Sequence, residues 1–291
     1  MLIQGGQMSS GRLKTVFVAG AYWMTWQMSF SATTAPGGAL NDSYFEADVC
    51  RNCGATLTGP YCQACGQKKA DRFGRAHLKD EIWQKLRWFE AEMLKAAFNV
   101  SLRPGRVARD YVLGQRKAHV HPLKLLLAAI VILLIVIAQT GYLEAGDTRL
   151  SRALELVRAW SKWSFSLGIV AVLIASNLVF RRRQGFNFFE HLVLATYVQF
   201  VIIVANIVNL SPLLLRSGPD LVARHRQVTG LYMDWVEAGI VFLAFGQFFA
   251  VDWRRQWWWP AIGAAVFYVA KEGLLYLYAR AVIRIVIAQL R

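Results

Sequence analysis

Cysteine is scarce in this 291-residue chain: there are four, and all fall between Cys50 and Cys65. None is left to build a disulfide framework elsewhere, and this usage fits a reducing compartment and metal binding. Acidic residues are also few, 18 against 33 Lys and Arg, a formal charge of +15. No HExxH metal helix, serine elbow or phosphate-binding loop occurs. No catalytic constellation can therefore be assembled from the sequence. The basic residues do not gather in one soluble segment with base-stacking aromatics, which argues against nucleic acid as the partner.

What the chain has instead is apolar length. Its 56% hydrophobic residues come in blocks of about 20, enough to cross a hydrocarbon core of roughly 30 Å. Backbone polar groups inside lipid must be satisfied within the segment, so the blocks read as helices. The sequence predicts an α-helical integral membrane protein with about five transmembrane helices, at about 123–143, 160–180, 188–210, 231–251 and 257–278. The connectors around 103–124, Arg181-Arg182-Arg183 and Arg254-Arg255 share one side if the helices alternate, which makes that side cytosolic. Arg280, Arg284 and Arg291 fall on the other side, and a re-entrant or surface-lying last helix would remove that conflict. The loops 144–162 and 211–230 mix charge signs. Trp257-Trp258-Trp259 suits an interfacial girdle. The cytosolic basic connectors make anionic headgroups one expected partner, with a protein of unknown identity as another.

Four segments are expected. Residues 1–48 read as a disordered or mis-started tail, with Met28 as a plausible initiator; the short apolar run at 16–21 only faintly resembles a signal peptide. Residues 49–67 form a cysteine head. Residues 68–121 supply a basic linker, an amphipathic membrane-surface helix over about 78–102, and a basic connector broken off by Pro104-Gly105. In that helix Ile82, Leu86, Phe89, Met93 and Ala97 recur at helical spacing, and Trp83 and Trp88 suit headgroup depth. Whether it covers the leaflet or the protein's own body stays open. Residues 122–291 form the transmembrane domain.

The head reads C-x2-C-x8-C-x2-C, with Cys50, Cys53, Cys62 and Cys65. Two such knuckles can turn four thiolates toward one tetrahedral ion. Gly54 and Gly66 follow each pair and permit the turn; Gly59-Pro60 reverses the chain between them. A segment this short cannot bury a core, so metal must supply most of its folding energy. Zn2+ in a closed structural site is the expectation, and an iron site with the same ligands stays open.

The runs Cys50-Arg-Asn-Cys-Gly and Gly59-Pro-Tyr-Cys-Gln-Ala-Cys-Gly-Gln67 are joined by Arg103-Pro-Gly-Arg, Asp110-Tyr111, Gly114-Gln-Arg116 and Pro122. Together they resemble an uncharacterised bacterial membrane-protein family, a domain of unknown function with an N-terminal four-cysteine zinc-ribbon head. The resemblance covers about 50–143 and implies a cytosolic ribbon on an inner-membrane protein. It implies no activity. Gln115 departs from the Lys that family members often carry.

Polar residues inside the spans complete the candidates, since ionisable groups there default to a functional hypothesis. His191, Gln199, Asn206 and Asn209 fall on one face of the third span. Lys271 and Glu272 are deep in the fifth, pointing about 100° apart, so each needs a partner from another helix. These groups read either as interhelical glue or as a path for transport or lipid handling. Asp234 and Glu237 share a face of the fourth span. Glu190-His191 offers a fragment of an intramembrane enzyme, without a nucleophile. The reading favoured is a membrane-anchored interaction or assembly module.

Overall fold

The computed structural model describes residues 40, 42–72, 92–142, 164–181, 185–215 and 218–290, all in one compact unit, Gly38–Arg291. Among them are eight helices and no strand: α1 Ser43–Glu46, α2 Glu92–Leu102, α3 Pro104–Val112, α4 Pro122–Thr140, α5 Ser164–Phe180, α6 Phe188–Leu215, α7 Pro219–Phe248 and α8 Trp258–Leu290. Residues 1–39 of the expected tail 1–48, most of the amphipathic helix with Ile82, Trp83, Leu86, Trp88 and Phe89, residues 143–163, Arg182, Arg183 and Arg291 lie outside the described residues.

Four helices are long and apolar enough to cross a membrane: Pro122–Thr140, Phe188–Leu215, Asp220–Phe248 and Trp258–Ile285. The second of the five expected spans is represented by a shorter apolar helix, Ser166–Phe180. α4 packs along α6, α5 lies between α6 and α8, and α7 lies against α6 and α8. α6 is the central column: Val193, Leu194, Ala195, Tyr197, Val198 and Ile203 are all buried. An aromatic cluster binds the ends of three helices. Phe180 of α5 stacks on Phe249 at 3.9 Å between ring centroids, and Phe186 before α6 meets Phe248 at 4.8 Å.

Three segments differ from the expectation. The presumed loop 211–230 is mostly helix. α6 runs on through Pro212 to Leu215, and α7 starts at Pro219. Proline is well tolerated at the first position of a helix, where its missing N–H has no partner to lose. Twelve residues, 219–230, of which six are polar, therefore extend α7 ahead of the expected span. The presumed basic connector contains α3, whose Val107, Ala108, Tyr111 and Val112 recur at helical spacing and are buried. Residues 42–48 are folded, with Tyr44 and Phe45 of α1 buried and Arg51 lying over the Tyr44 ring at 3.9 Å. The last helix is continuous, about 50 Å long at 1.5 Å per residue, so Arg280 and Arg284 lie toward the end remote from the head.

α3 is seated across the end of α7. Gly105 packs so closely that a Cβ there would overlap the carbonyl oxygen of Ala244. Its N–H donates to Gln247 Oε1 at 3.1 Å, and Arg109 Nη1 donates to the Phe248 carbonyl at 2.6 Å. Tyr197 of α6 donates its hydroxyl to the Val120 carbonyl at 2.7 Å. These bonds fix the 113–121 loop, which receives the cysteine head.

Candidate metal centre

The head is one turn written twice. Around Cys50 the bonds are Cys50 N–H to Ala55 O, Gly54 N–H to Cys50 O, and Leu57 N–H to Asp48 O. Around Cys62 they are Cys62 N–H to Gln67 O, Gly66 N–H to Cys62 O, and Lys69 N–H to Pro60 O. Single antiparallel bridges, Val49 to Thr56 and Tyr61 to Lys68, close the two turns. Gly54 and Gly66 adopt φ of 78° and 70°, left-handed values that side chains with a Cβ rarely take. The repeat places two sulfur pairs face to face.

The Sγ atoms of Cys50 and Cys65 are 3.6 Å apart, as are those of Cys53 and Cys62. All four lie within 4.8 Å of one another. These distances are far beyond a disulfide bond of about 2.05 Å. They approach the ~3.8 Å edge of a tetrahedron with metal–sulfur bonds of ~2.3 Å. Cys50, Leu57 and Cys62 form the small buried core of the head. The Cys65 N–H, above all, draws the Cys62 thiol down to about 7. At Cys53 the Ala55 N–H also works downward, but desolvation and the other three sulfurs outweigh it and push the thiol up to about 12. One sulfur ionises readily and the next resists, because anions this close repel. A bound cation removes that repulsion, so the donor set suits a metal ion.

The head is docked on the bundle. Gln67, buried, donates Nε2 to the Gly114 carbonyl at 2.7 Å and accepts the Lys117 N–H at 3.0 Å. Asn52 Oδ1 accepts the Ala118 N–H at 3.2 Å, and Lys117 Nζ donates to the Cys65 carbonyl. Beyond the head, Arg72 donates to Glu190 Oε1 at 3.1 Å, to Asp42 at 3.0 Å and to the Gly185 carbonyl at 2.6 Å. Glu190 is fully buried and also accepts the Asn187 N–H at 2.6 Å, while Asn187 Oδ1 accepts the Glu190 N–H at 3.0 Å. That reciprocal pair is a capping box at the start of α6. His121 caps α4, its Nδ1 accepting the Leu123 N–H at 3.3 Å. His119 lies 4.0 Å from Asp110; burial lowers its basicity to about 4.

The polar residues of the spans have different surroundings. His191 is buried between Phe186 and Phe249, and neither ring nitrogen has a partner. Gln199, buried, fills the space left by Gly168 of α5. Asn206 donates to the Ile202 carbonyl of its own helix at 2.9 Å. Asn209 joins α6 to α7: its Nδ2 donates to Thr229 at 3.2 Å, its Oδ1 accepts from Tyr232, and its carbonyl lies 2.9 Å from His225 Nε2. Lys271 of α8 is held by Asp234 at 2.6 Å and Glu237 at 2.8 Å, both on α7. Glu272, its neighbour in sequence, is exposed and does not join them. The sites missed from sequence are Arg72, His225, Thr229 and Tyr232. The i, i+4 spacing of His225 and Thr229 was a local signal for one helix face; nothing local announces Arg72.

A helical chain with membrane-length apolar helices and a four-cysteine cluster able to hold a metal ion is the class these features define. A family model described as "Protein of unknown function (DUF3667)" matches residues 90–134. That stretch holds α2 from Glu92, α3, the docking loop and most of α4, and contains the block Arg103–Pro122; the cysteine pairs lie outside it. Comparison with curated proteins and with solved structures gave no match.

Proposed function

We propose that the chain is a multi-pass protein of a bacterial inner membrane whose cytosolic head carries one structural Zn2+ and serves as an interaction or assembly module. The observation that carries this reading is the double use of the head. One side is sealed against the bundle by Gln67 and Asn52, while the hairpin Thr58–Tyr61 faces outward, with Tyr61 60% exposed. Four thiolates fill zinc's preferred tetrahedron and leave no position for a substrate, so the ion orders the head and performs no hydrolysis. Four basic side chains at the head are engaged within the protein: Arg51 on Tyr44, Lys69 on Asp48 at 2.7 Å, Arg72 on Glu190, Lys117 on Cys65, while Lys68 is exposed. That leaves a partner with protein chemistry favoured over nucleic acid. Glu190 is likewise engaged, by Arg72 and Asn187, which weighs against an acid–base pair with His191. The cytosolic placement is supported by Arg103, Arg106, Lys117, Arg181, Arg254 and Arg255, which are exposed at the head end.

Affinity capture from native membranes tests the reading, comparing the natural chain with Cys50→Ser/Cys62→Ser. The expected result is loss of specifically captured protein with the bundle still membrane-inserted. Identical capture by both chains rules the module out.

Lys271 favours a second reading, a transporter or lipid-handling protein. A lysine within an apolar helix, shared by two carboxylates of the neighbouring helix, is the kind of intramembrane group that marks a pathway. Reconstituted vesicles should lose solute flux or lipid exchange on Lys271→Met; undiminished exchange removes this reading.

A further inference from the structure

α2 has two apolar faces. Met93 and Val100 are buried on the side that meets α3 and α6. On the opposite side Leu94, Phe98 and Leu102 follow one another at four-residue intervals, and they are 79%, 66% and 60% exposed. A helix placed in water has no use for the second stripe, which would expose three large apolar side chains in a row.

Its depth relative to the spans is fixed by bonds. α2 is separated from α3 by Arg103 alone, and the N–H groups of Gly105 and Arg106 both point to Gln247 Oε1 near the end of α7. One residue earlier, Gly246 has no room for a Cβ because Trp253 packs on it. Trp253, Trp257 and Trp258 are exposed at this same end. Exposed tryptophans at the end of apolar helices mark the level where acyl chains give way to headgroups. The C-terminus of α2 therefore lies at that level. Arg103 and Arg106 are exposed at the elbow, and Arg254 and Arg255 are exposed on the turn beside Trp253. Asp252 caps that turn through the Arg254 N–H at 3.0 Å. The order is apolar stripe, then cations, along one short stretch of chain.

We propose that α2 is an interfacial helix that binds anionic phospholipid. Leu94, Phe98 and Leu102 enter the acyl region of the leaflet on the head side, and Arg103 and Arg106 hold lipid phosphates. Apolar burial and electrostatic attraction to anionic lipid are the two contributions by which such helices bind. The inference rests on the membrane-spanning reading and is independent of the metal. Because α3 and the docking loop follow α2 directly, lipid composition has a covalent route to the seat of the head.

The test places a photoreactive benzophenone on the stripe, Phe98→p-benzoylphenylalanine, in the full chain reconstituted in phosphatidylcholine vesicles with or without phosphatidylglycerol. Irradiation should attach lipid, with phosphatidylglycerol enriched over its share of the bilayer. Arg103→Gln and Arg106→Gln should each reduce that enrichment about fivefold, the equivalent of ~1 kcal/mol per basic side chain at an anionic surface. Amide exchange across α2 of the natural chain should also slow when phosphatidylglycerol is added, while α6 is unchanged; this second measurement needs no variant to fold. Attachment to a second copy of the chain or to another polypeptide overturns the proposal. So does the absence of any adduct, which would put the stripe in water, or exchange across α2 that ignores the lipid.

Discussion

Arg72→Gln should release the head from the bundle without unfolding it. Among the described residues Arg72 is the one cation that reaches the buried Glu190 carboxylate, at 3.1 Å, and it also ties Asp42 and the Gly185 carbonyl. Removing one partner of a buried ion pair costs about 3–5 kcal/mol. Two features lower that figure: Arg72 is partly exposed, and Glu190 keeps the Asn187 N–H. A loss of ~2–3 kcal/mol raises the undocked population roughly 30- to 140-fold, at ~1.4 kcal/mol per tenfold. Hydrogen exchange in the detergent-solubilised chain reads this directly. The Lys117 and Ala118 amides, bonded to Gln67 and Asn52 of the head, should exchange faster by that factor. The Gly54 and Gly66 amides, held inside the knuckles, should not change. Arg72→Gln/Glu190→Gln should recover part of the loss, since no charge is then stranded. Unchanged exchange at Lys117 and Ala118 would refute the docking role, and equal acceleration at Gly54 and Gly66 would show that the head cannot persist without its seat.

Other outcomes follow from the same geometry. Gly105→Ala drives a methyl group into the Ala244 carbonyl and should destabilise the chain by roughly 1–3 kcal/mol, seen as a lower Tm in detergent; an unshifted Tm would mean α3 is not seated on α7. Lys271→Met strands Asp234 and Glu237 and should cost about 2–3 kcal/mol, less than for a fully buried pair because Asp234 is partly exposed. Adding Asp234→Asn and Glu237→Gln should restore most of it in the same melt, and no restoration would show that the three side chains do not act as a unit. Burial holds His119 near 4, below the ordinary ~6.5. Its contribution is complete above pH 6.5 and is lost as pH falls toward 4, because the unfolded chain then binds the proton more readily. Asp110, whose pKa burial raises, acts in the opposite sense. His119→Gln should flatten the acid limb of a denaturation series between pH 7 and 5, and an unaltered limb would assign that limb to other groups.

The cysteine spacing and the apolar blocks were legible because each is a local code. Two Cys-x-x-Cys turns bring four sulfurs together whatever surrounds them, and blocks of apolar residues declare their helices by length. α3 was hidden by composition: the arginines of Arg103–Arg109 dominate the reading, although Val107, Ala108, Tyr111 and Val112 carry the helical spacing. The early start of α7 is hidden for a related reason, since the six polar residues among 219–230 interrupt the apolar run that marks a span. The position of Lys271 within an apolar run calls for a partner on another helix, yet helical geometry alone cannot say which helix faces it. Asp234 and Glu237 share a face of α7, and packing of α7 on α8 makes the match. Arg72 and Glu190 are 118 positions apart, so their pairing is wholly a product of tertiary structure.

The account stands on a metal ion held by four sulfurs, and metal-edge X-ray absorption on the chain purified from membranes addresses it directly. The expected spectrum is one zinc per chain, with four sulfur neighbours at ~2.3 Å, absent from Cys50→Ser/Cys62→Ser. A chain without tightly held metal, or a metal shell containing nitrogen or oxygen, would contradict it.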